Sequence, residues 1–324
     1  MSLLKYKKIY FLKEAYHQFC KETKELPIFF QDWYLDAVCQ DGDWEVIMVE
    51  KAGKIAGVLP YYIKQKGPFK YITMPPLNKM MGPFILPEFR TDSHFIKIST
   101  ALIEQLPSVA TYEQLLDYSI DNWLPFYWKG YQQTTRYSYV LDLSNMDRVY
   151  KNLSTDYKNN KIKKAKELVT IEHDRSLEAL YRVNKMSFDR QQVAISYDLA
   201  FLKRLDIALE EHEARMLFFA IDKLEQIHAV AYLIWDKERA YYLLAGDDPK
   251  LRKSGAGILL AWRTIQYTND VLGLPIFDFQ GSMMPSIERV RRQFGAIRQP
   301  YFFINKVNSR WFDRLGRLKR AWKR

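Results

Sequence analysis

Leu243-Leu244-Ala245-Gly246-Asp247-Asp248-Pro249-Lys250-Leu251-Arg252-Lys253-Ser254-Gly255-Ala256-Gly257 is the stretch on which the reading of this chain turns. An apolar run ends, a short polar loop follows, and Gly255 and Gly257 open a segment, 258–267, whose apolar residues recur at helical spacing. Bare glycines leave the first helical N–H groups accessible. Those unsatisfied donors and the helix dipole together make a seat for an anion such as phosphate. Arg252 and Lys253 add full charges. The same spacing also fits an ordinary surface turn opening a helix, so the surrounding sequence has to decide. Upstream, three runs rich in aromatic and β-branched residues (216–221, 227–235 and 240–245) are broken by Asp222-Lys223-Leu224-Glu225-Gln226 and Asp236-Lys237-Glu238-Arg239. This pattern predicts an antiparallel meander feeding the glycine corner.

Composition narrows the class. A chain of 324 residues with 48% hydrophobic and 15% aromatic residues is long enough for two domains, each with its own core, and is not a disordered chain. No apolar run reaches membrane-span length, and the residues after Met1 are charged rather than signal-like, which predicts a cytoplasmic protein. Two cysteines, Cys20 and Cys39, fit reduced thiols better than a disulfide framework. The five histidines show no ligand spacing, so no metal is expected. A G-x-S-x-G elbow and a P-loop are both absent. The net charge of +11 concentrates in two places. One is the lysine cluster Lys158, Lys161, Lys163, Lys164 and Lys166, readable as a solvated face or as a neighbour of an anionic ligand. The other is the tail, 306–324, where Trp311, Leu315, Leu318 and Trp322 share one helical face among bases, a pattern suited to packing on the chain itself or to peripheral contact with the inner membrane surface.

Three strands, Arg252-x-x-Gly255-x-Gly257 and a helix, in that order, resemble the acyl-CoA-binding core of the GNAT acyltransferase superfamily. Residues 275–304 sharpen the resemblance towards its FemAB-like, or BioF-like, branch: Phe277-Asp278-Phe279-Gln280-Gly281-Ser282, a helix, Phe294-Gly295-Ala296 and a last strand. The resemblance implies an α+β fold of two tandem GNAT-like domains, each a mixed, mostly antiparallel sheet flanked by helices. A hairpin at 49–63 aligns without a gap on the one at 221–235, which supports a duplication, although any two amphipathic hairpins align comparably. Expected boundaries are 1–148 for an N-terminal domain that does not bind the cofactor, 149–305 for the acyl-CoA-binding domain, and 306–324 for the tail.

The implied chemistry is transfer of an acyl, foremost acetyl, group from coenzyme A to an amine acceptor by direct attack, without a covalent enzyme intermediate. The resemblance assigns Leu244, Ala245, Arg252, Lys253, Ser254, Gly255, Ala256 and Gly257 to the coenzyme A. Backbone N–H groups around 244–246 are placed to meet the oxyanion. Asp278, Asp247 and Glu288 are the candidate proton-handling residues. Asp278 comes first because an acid interrupting an apolar strand is costly without a partner or purpose, though it also suits a loop-capping role. Arg190, Tyr197 and Ser282 are candidates for acceptor contacts, and the loop holding the first two serves equally as a linker. Three other readings stay open. One is aminoacyl transfer from charged tRNA to a peptidoglycan precursor, which the basic charge favours and the glycine corner disfavours. The second is a non-enzymatic, basic nucleic-acid-binding module. The third is a scaffold that has lost activity.

Overall fold

In the computed structural model, residues 12–309 apart from 282, together with 311, 312 and 314, are described. The tail's apolar positions Leu315, Leu318 and Trp322 lie outside the described residues, as does Ser282. Two compact units form: 1–136 with 300–324, and 137–299.

In the first unit, helices α1 (Leu12–Glu22) and α2 (Asp32–Val38) precede the hairpin of β1 (Asp43–Lys51) and β2 (Lys54–Lys66). Its two-residue turn needs positive φ, supplied by Ala52 at 52° and Gly53 at 79°. β3 (Phe69–Thr73) and the short β4 (Phe84–Ile85) both pair antiparallel with β2. Helix α3 (Asp92–Glu104), β5 (Thr111–Leu115) and α4 (Leu124–Trp128) follow. The core gathers Val49, Ala56, Leu59, Ile72, Ile98, Leu102 and Tyr112.

The second unit begins within β6 (Gln132–Asp142), at Tyr137, and goes on with α5 (Met146–Asn152), a π-helical turn at Tyr157–Ile162 and α6 (Lys163–Leu168). Then come β7 (Thr170–His173), α7 (Leu177–Arg190) and α8 (Leu199–Glu211). The expected meander is β8 (Arg215–Ile221), β9 (Ile227–Trp235) and β10 (Arg239–Asp247). It feeds α9 (Ala256–Asp270), followed by β11 (Ile276–Asp278) and α10 (Pro285–Gln293). Strand order is β6-β11-β10-β9-β8-β7, antiparallel except for the β10–β11 pair. The last strand, β12 (Ile297–Val307), pairs antiparallel with β5 inside the first unit.

Each unit is thus a mostly antiparallel sheet flanked by helices. The boundaries differ from 1–148 and 149–305 for a tertiary reason: β6 pairs with β11, which brings 137–148 into the second unit, and β12 pairs with β5, which returns 300–305 to the first.

Packing around β9 positions the corner. Ala220, Ala229, Ala231 and Ala240 present small side chains to Leu259, Leu260, Ala261 and Ile265 of α9, so helix and sheet approach closely. Thr264 and Thr268, wholly buried, donate to the carbonyls of Ala261 and Thr264 at 2.8 Å and leave no hydroxyl unpaired. On β10, Gly246 has no room for a side chain. A Cβ there would stand 2.7 Å from the Val183 carbonyl oxygen and 2.7 Å from Asn184 Cα of α7. Gly246→Ala is therefore expected to cost about 1–3 kcal/mol by overpacking against backbone, read from the denaturant midpoint.

Candidate functional site

β10 and β11 pair over three residues only, Arg239 with Ile276, Ala240 with Phe277 and Tyr241 with Asp278. They then part, because the chain after Asp278 stays with β6: the Phe279 N–H donates to the Tyr139 carbonyl at 2.9 Å. β10 also slips its register against β9 between Tyr242 and Leu244. The result is a fork whose one prong is the end of β10. Side chains of α7 cap that prong. Asn184 Nδ2 donates to the Ala245 carbonyl at 2.8 Å, and the Asp247 N–H donates to Ser187 Oγ at 3.0 Å. Tyr197, buried, fixes the Asn184 amide by donating its hydroxyl to Oδ1 at 2.7 Å.

After β10, a 3-10 turn at Arg252–Ser254 leads into Gly255 at φ +80°, the left-handed residue that turns the chain into α9. Ser254 Oγ accepts from the Ala256 N–H at 3.3 Å, so the hydroxyl serves the helix start. A cavity of about 170 Å³ opens at this corner, lined among others by Ala245, Asp247, Arg252, Gly255, Gly257 and Arg291. That is below the roughly 300–1,000 Å³ of a site holding a whole drug-sized ligand, and suits one charged piece of a larger molecule. The lysine cluster borders the corner. The π turn brings the Lys161 carbonyl against Gly255, and Lys164 Nζ donates to the Lys253 carbonyl at 3.1 Å.

The two glycines are bare for different reasons. A Cβ on Gly255 would stand 2.9 Å from the Lys161 carbonyl oxygen, in a backbone region L-residues seldom adopt. Its absence is thus demanded by the fold. A Cβ on Gly257 would fall on Asp247 Oδ1, a side-chain atom at the wall of the cavity. Desolvation holds the Asp247 carboxyl above the usual carboxylate range, while the charges of Arg252 and Arg190 pull it down. Arg252 Nε is 3.8 Å from Asp247 Oδ2.

Arg291 lines the same cavity from α10. Its guanidinium lies over the rings of Phe279 and Tyr242, 4.8 and 5.4 Å from their centroids. Nε is shut from solvent with no acceptor, and burial pulls the guanidinium's pKa down. Arg291 carries no salt bridge among the described residues. The Asp278 carboxylate acts on it from a distance, without a salt bridge, so the cation is only partly compensated until a second anion meets it. Sequence reasoning missed it, although one signal was present: Arg291 stands three residues before the buried Phe294, on the inward face of the helix.

The expected residues separate into three groups. Asp247, Arg252, Gly255, Gly257 and Ala245 meet at the cavity, and Arg190 is close enough to act on Asp247. Leu244, Ser254 and Ala256 are buried around it, and Lys253 contributes its carbonyl to Lys164. Asp278 and Glu288 are engaged elsewhere. Asp278 is 0% exposed; its Oδ1 accepts from Ser138 Oγ at 2.6 Å and from the Gln280 N–H at 2.8 Å, and its Oδ2 from Arg239 at 3.3 Å. Glu288 pairs with Arg292 at 3.1 Å and sits beside Tyr139, whose hydroxyl pKa is raised by burial first and by Glu288 second. Tyr197 reaches the site only through Asn184. No group of three or more His, Cys, Asp or Glu side chains suited to a metal occurs among the described residues, and no described helix is long and apolar enough to cross a membrane.

Residues 154–318 match the family model described as an acetyltransferase (GNAT) domain. No curated protein sequence matches the chain. Among solved structures the chain is similar to FemX, at 12% identity and a TM-score of 0.69, covering 91% of this chain and 96% of FemX. It is also similar to a tandem GNAT protein from the clavulanic acid biosynthesis pathway, at 9% identity and a TM-score of 0.57, covering 94% and 98% of the two chains. A third similarity, at 13% identity and a TM-score of 0.57, is to the C-terminal domain of a putative lysylphosphatidylglycerol synthetase from Agrobacterium fabrum, with 90% and 91% covered.

Proposed function

Because the chain belongs to the GNAT acetyltransferase-domain family and is an acyltransferase, we propose that its donor is an acyl-coenzyme A, whose diphosphate is held in the cavity at the start of α9. The acyl group goes to an amine. The observation that carries this reading is the convergence on one small cavity of a glycine-opened helix start, Arg252 and the unpaired guanidinium of Arg291. Helix N–H groups and two cations suit a diphosphate, and charge-assisted contacts of this kind are the strong ones.

The step needs little covalent help from the protein. The acceptor amine attacks the thioester carbonyl, a C–N bond forms, the C–S bond breaks, and the proton lost by the amine goes to the departing thiolate or to solvent. The protein contributes alignment of the two reactants and donors aimed at the oxyanion. The rigid prong of β10, pinned by Asn184 and Ser187, supplies a backbone edge that does not reorganise during the reaction. We assign Asp278 to holding β6, β10 and β11 together rather than to proton transfer, since both its oxygens already accept hydrogen bonds. We assign Arg190 to the electrostatics of the seat through Asp247.

A second reading, aminoacyl transfer from a carrier that does not use the seat, is favoured by one observation: the Asp247 carboxylate already lies on the first turn of α9. Thermal unfolding with coenzyme A, acetyl-coenzyme A and longer acyl-coenzymes A separates the two. A ligand at about 100 times its Kd stabilises the folded chain by about 2.7 kcal/mol. The proposal expects such a rise in wild type and its loss in Gly257→Val, whose side chain fills the seat. No rise with any acyl-coenzyme A contradicts it.

A further inference from the structure

We propose that Asp247 is a built-in rival for the donor's phosphate, a specificity-determining carboxylate that occupies the anion seat of α9 and must swing out before a diphosphate can settle. This rests on the donor reading above.

The carboxylate is where an anion belongs. Gly257 lies in the first turn of a 15-residue helix, and glycine enters a helix at a cost in backbone entropy. The room left by its missing side chain is filled by Asp247 Oδ1. Arg252, Arg190 and Arg291 surround the position with positive charge. The carboxylate is nevertheless held loosely. Neither oxygen accepts a hydrogen bond among the described residues, and its nearest cation is 3.8 Å away. The Asp247 backbone, by contrast, is fixed: its N–H is bonded to Ser187 Oγ at 3.0 Å, and the preceding Gly246 is wedged against α7. The side chain can therefore leave by rotation about its own bonds while the strand stays in place. Until it does, a phosphate entering the seat meets a like charge in a partly desolvated cavity, and such pairs are strongly unfavourable. The consequence is a donor site that penalises free phosphates and yields only to a ligand with further contacts beyond the seat.

Isothermal titration of the full chain with inorganic pyrophosphate, coenzyme A and pantetheine tests this in wild type, Asp247→Asn and Asp247→Ser. Removal of the charge is expected to tighten pyrophosphate and coenzyme A by about tenfold or more, because juxtaposed like charges repel strongly in a water-poor site. Pantetheine, which lacks the diphosphate, is expected to bind all three proteins alike. Unchanged or weaker pyrophosphate binding in both variants overturns the proposal, and so does equal tightening of pantetheine. Tighter pyrophosphate in the variants with no coenzyme A binding in any protein supports the rivalry and removes coenzyme A as donor. Coenzyme A binding of equal strength in all three proteins keeps the donor and overturns the rivalry.

Discussion

Replacing Arg291 by methionine is expected to weaken donor binding or turnover by about 2–5 kcal/mol, on the order of thirtyfold to several thousandfold, while leaving the protein at least as stable as wild type. The two halves of this expectation come from one observation. The guanidinium is stacked over Phe279 and Tyr242, its Nε is buried without an acceptor, and burial disfavours its charged form. In the free protein it is therefore a cost, and an apolar chain of similar length packs on the same rings without that cost. With an anion in the cavity the same charge becomes a strong contact made in a water-poor place. Acyl-transfer rates and thermal unfolding of the same preparation check the pair of outcomes. A variant that loses stability and activity together would reduce Arg291 to a packing residue. Arg291→Lys, which keeps the charge and loses the planar fork, should recover part of the rate.

Asp278→Ala should do the reverse. Its carboxylate is fully buried and accepts from Ser138 Oγ, the Gln280 N–H and Arg239, so it ties β6, β10 and the turn after β11 together. Truncation removes the ion pair with Arg239 and takes a buried acceptor away from the Ser138 hydroxyl and the Gln280 N–H at the root of the fork. Breaking one partner of a buried pair costs about 3–5 kcal/mol, which in a unit of this size lowers Tm by roughly 10 °C. The folded fraction should keep its donor affinity. An Asp278→Asn protein with wild-type stability and a hundredfold slower rate would instead return the residue to proton handling.

The meander, the glycine corner and the helix behind it were legible because each is a local pattern: apolar runs with charged turns between them, then glycines, then helical spacing. The paired hairpins, 49–63 and 221–235, both form, as β1–β2 and β8–β9. Tertiary choices were not legible. Nothing local announces that β12 leaves the second unit for β5, or that the lysine cluster takes a π turn that sets its carbonyl on Gly255. Asn184 and Ser187 were missed, yet both interrupt the apolar face of α7 at the spacing of Leu180 and Val183, where a polar residue needs a partner. Asp278 was legible as an acid needing a partner. Which partner it found depends on β6 and β10 meeting across β11.

The most direct test of the account is hydrogen–deuterium exchange of the full chain with and without a saturating acyl-coenzyme A. At the start of α9 the Gly257 N–H has no partner among the described residues, while the Ala256 N–H is held only by Ser254 Oγ and the Ile258 N–H only by the Gly255 carbonyl, so this first turn exchanges more readily than the helix behind it until a ligand bonds to it. The account predicts new protection at 255–258, at the end of β10 around 244–247 and around Arg291, with other segments little changed. Binding of the acyl-coenzyme A with no change at 255–258 would contradict it.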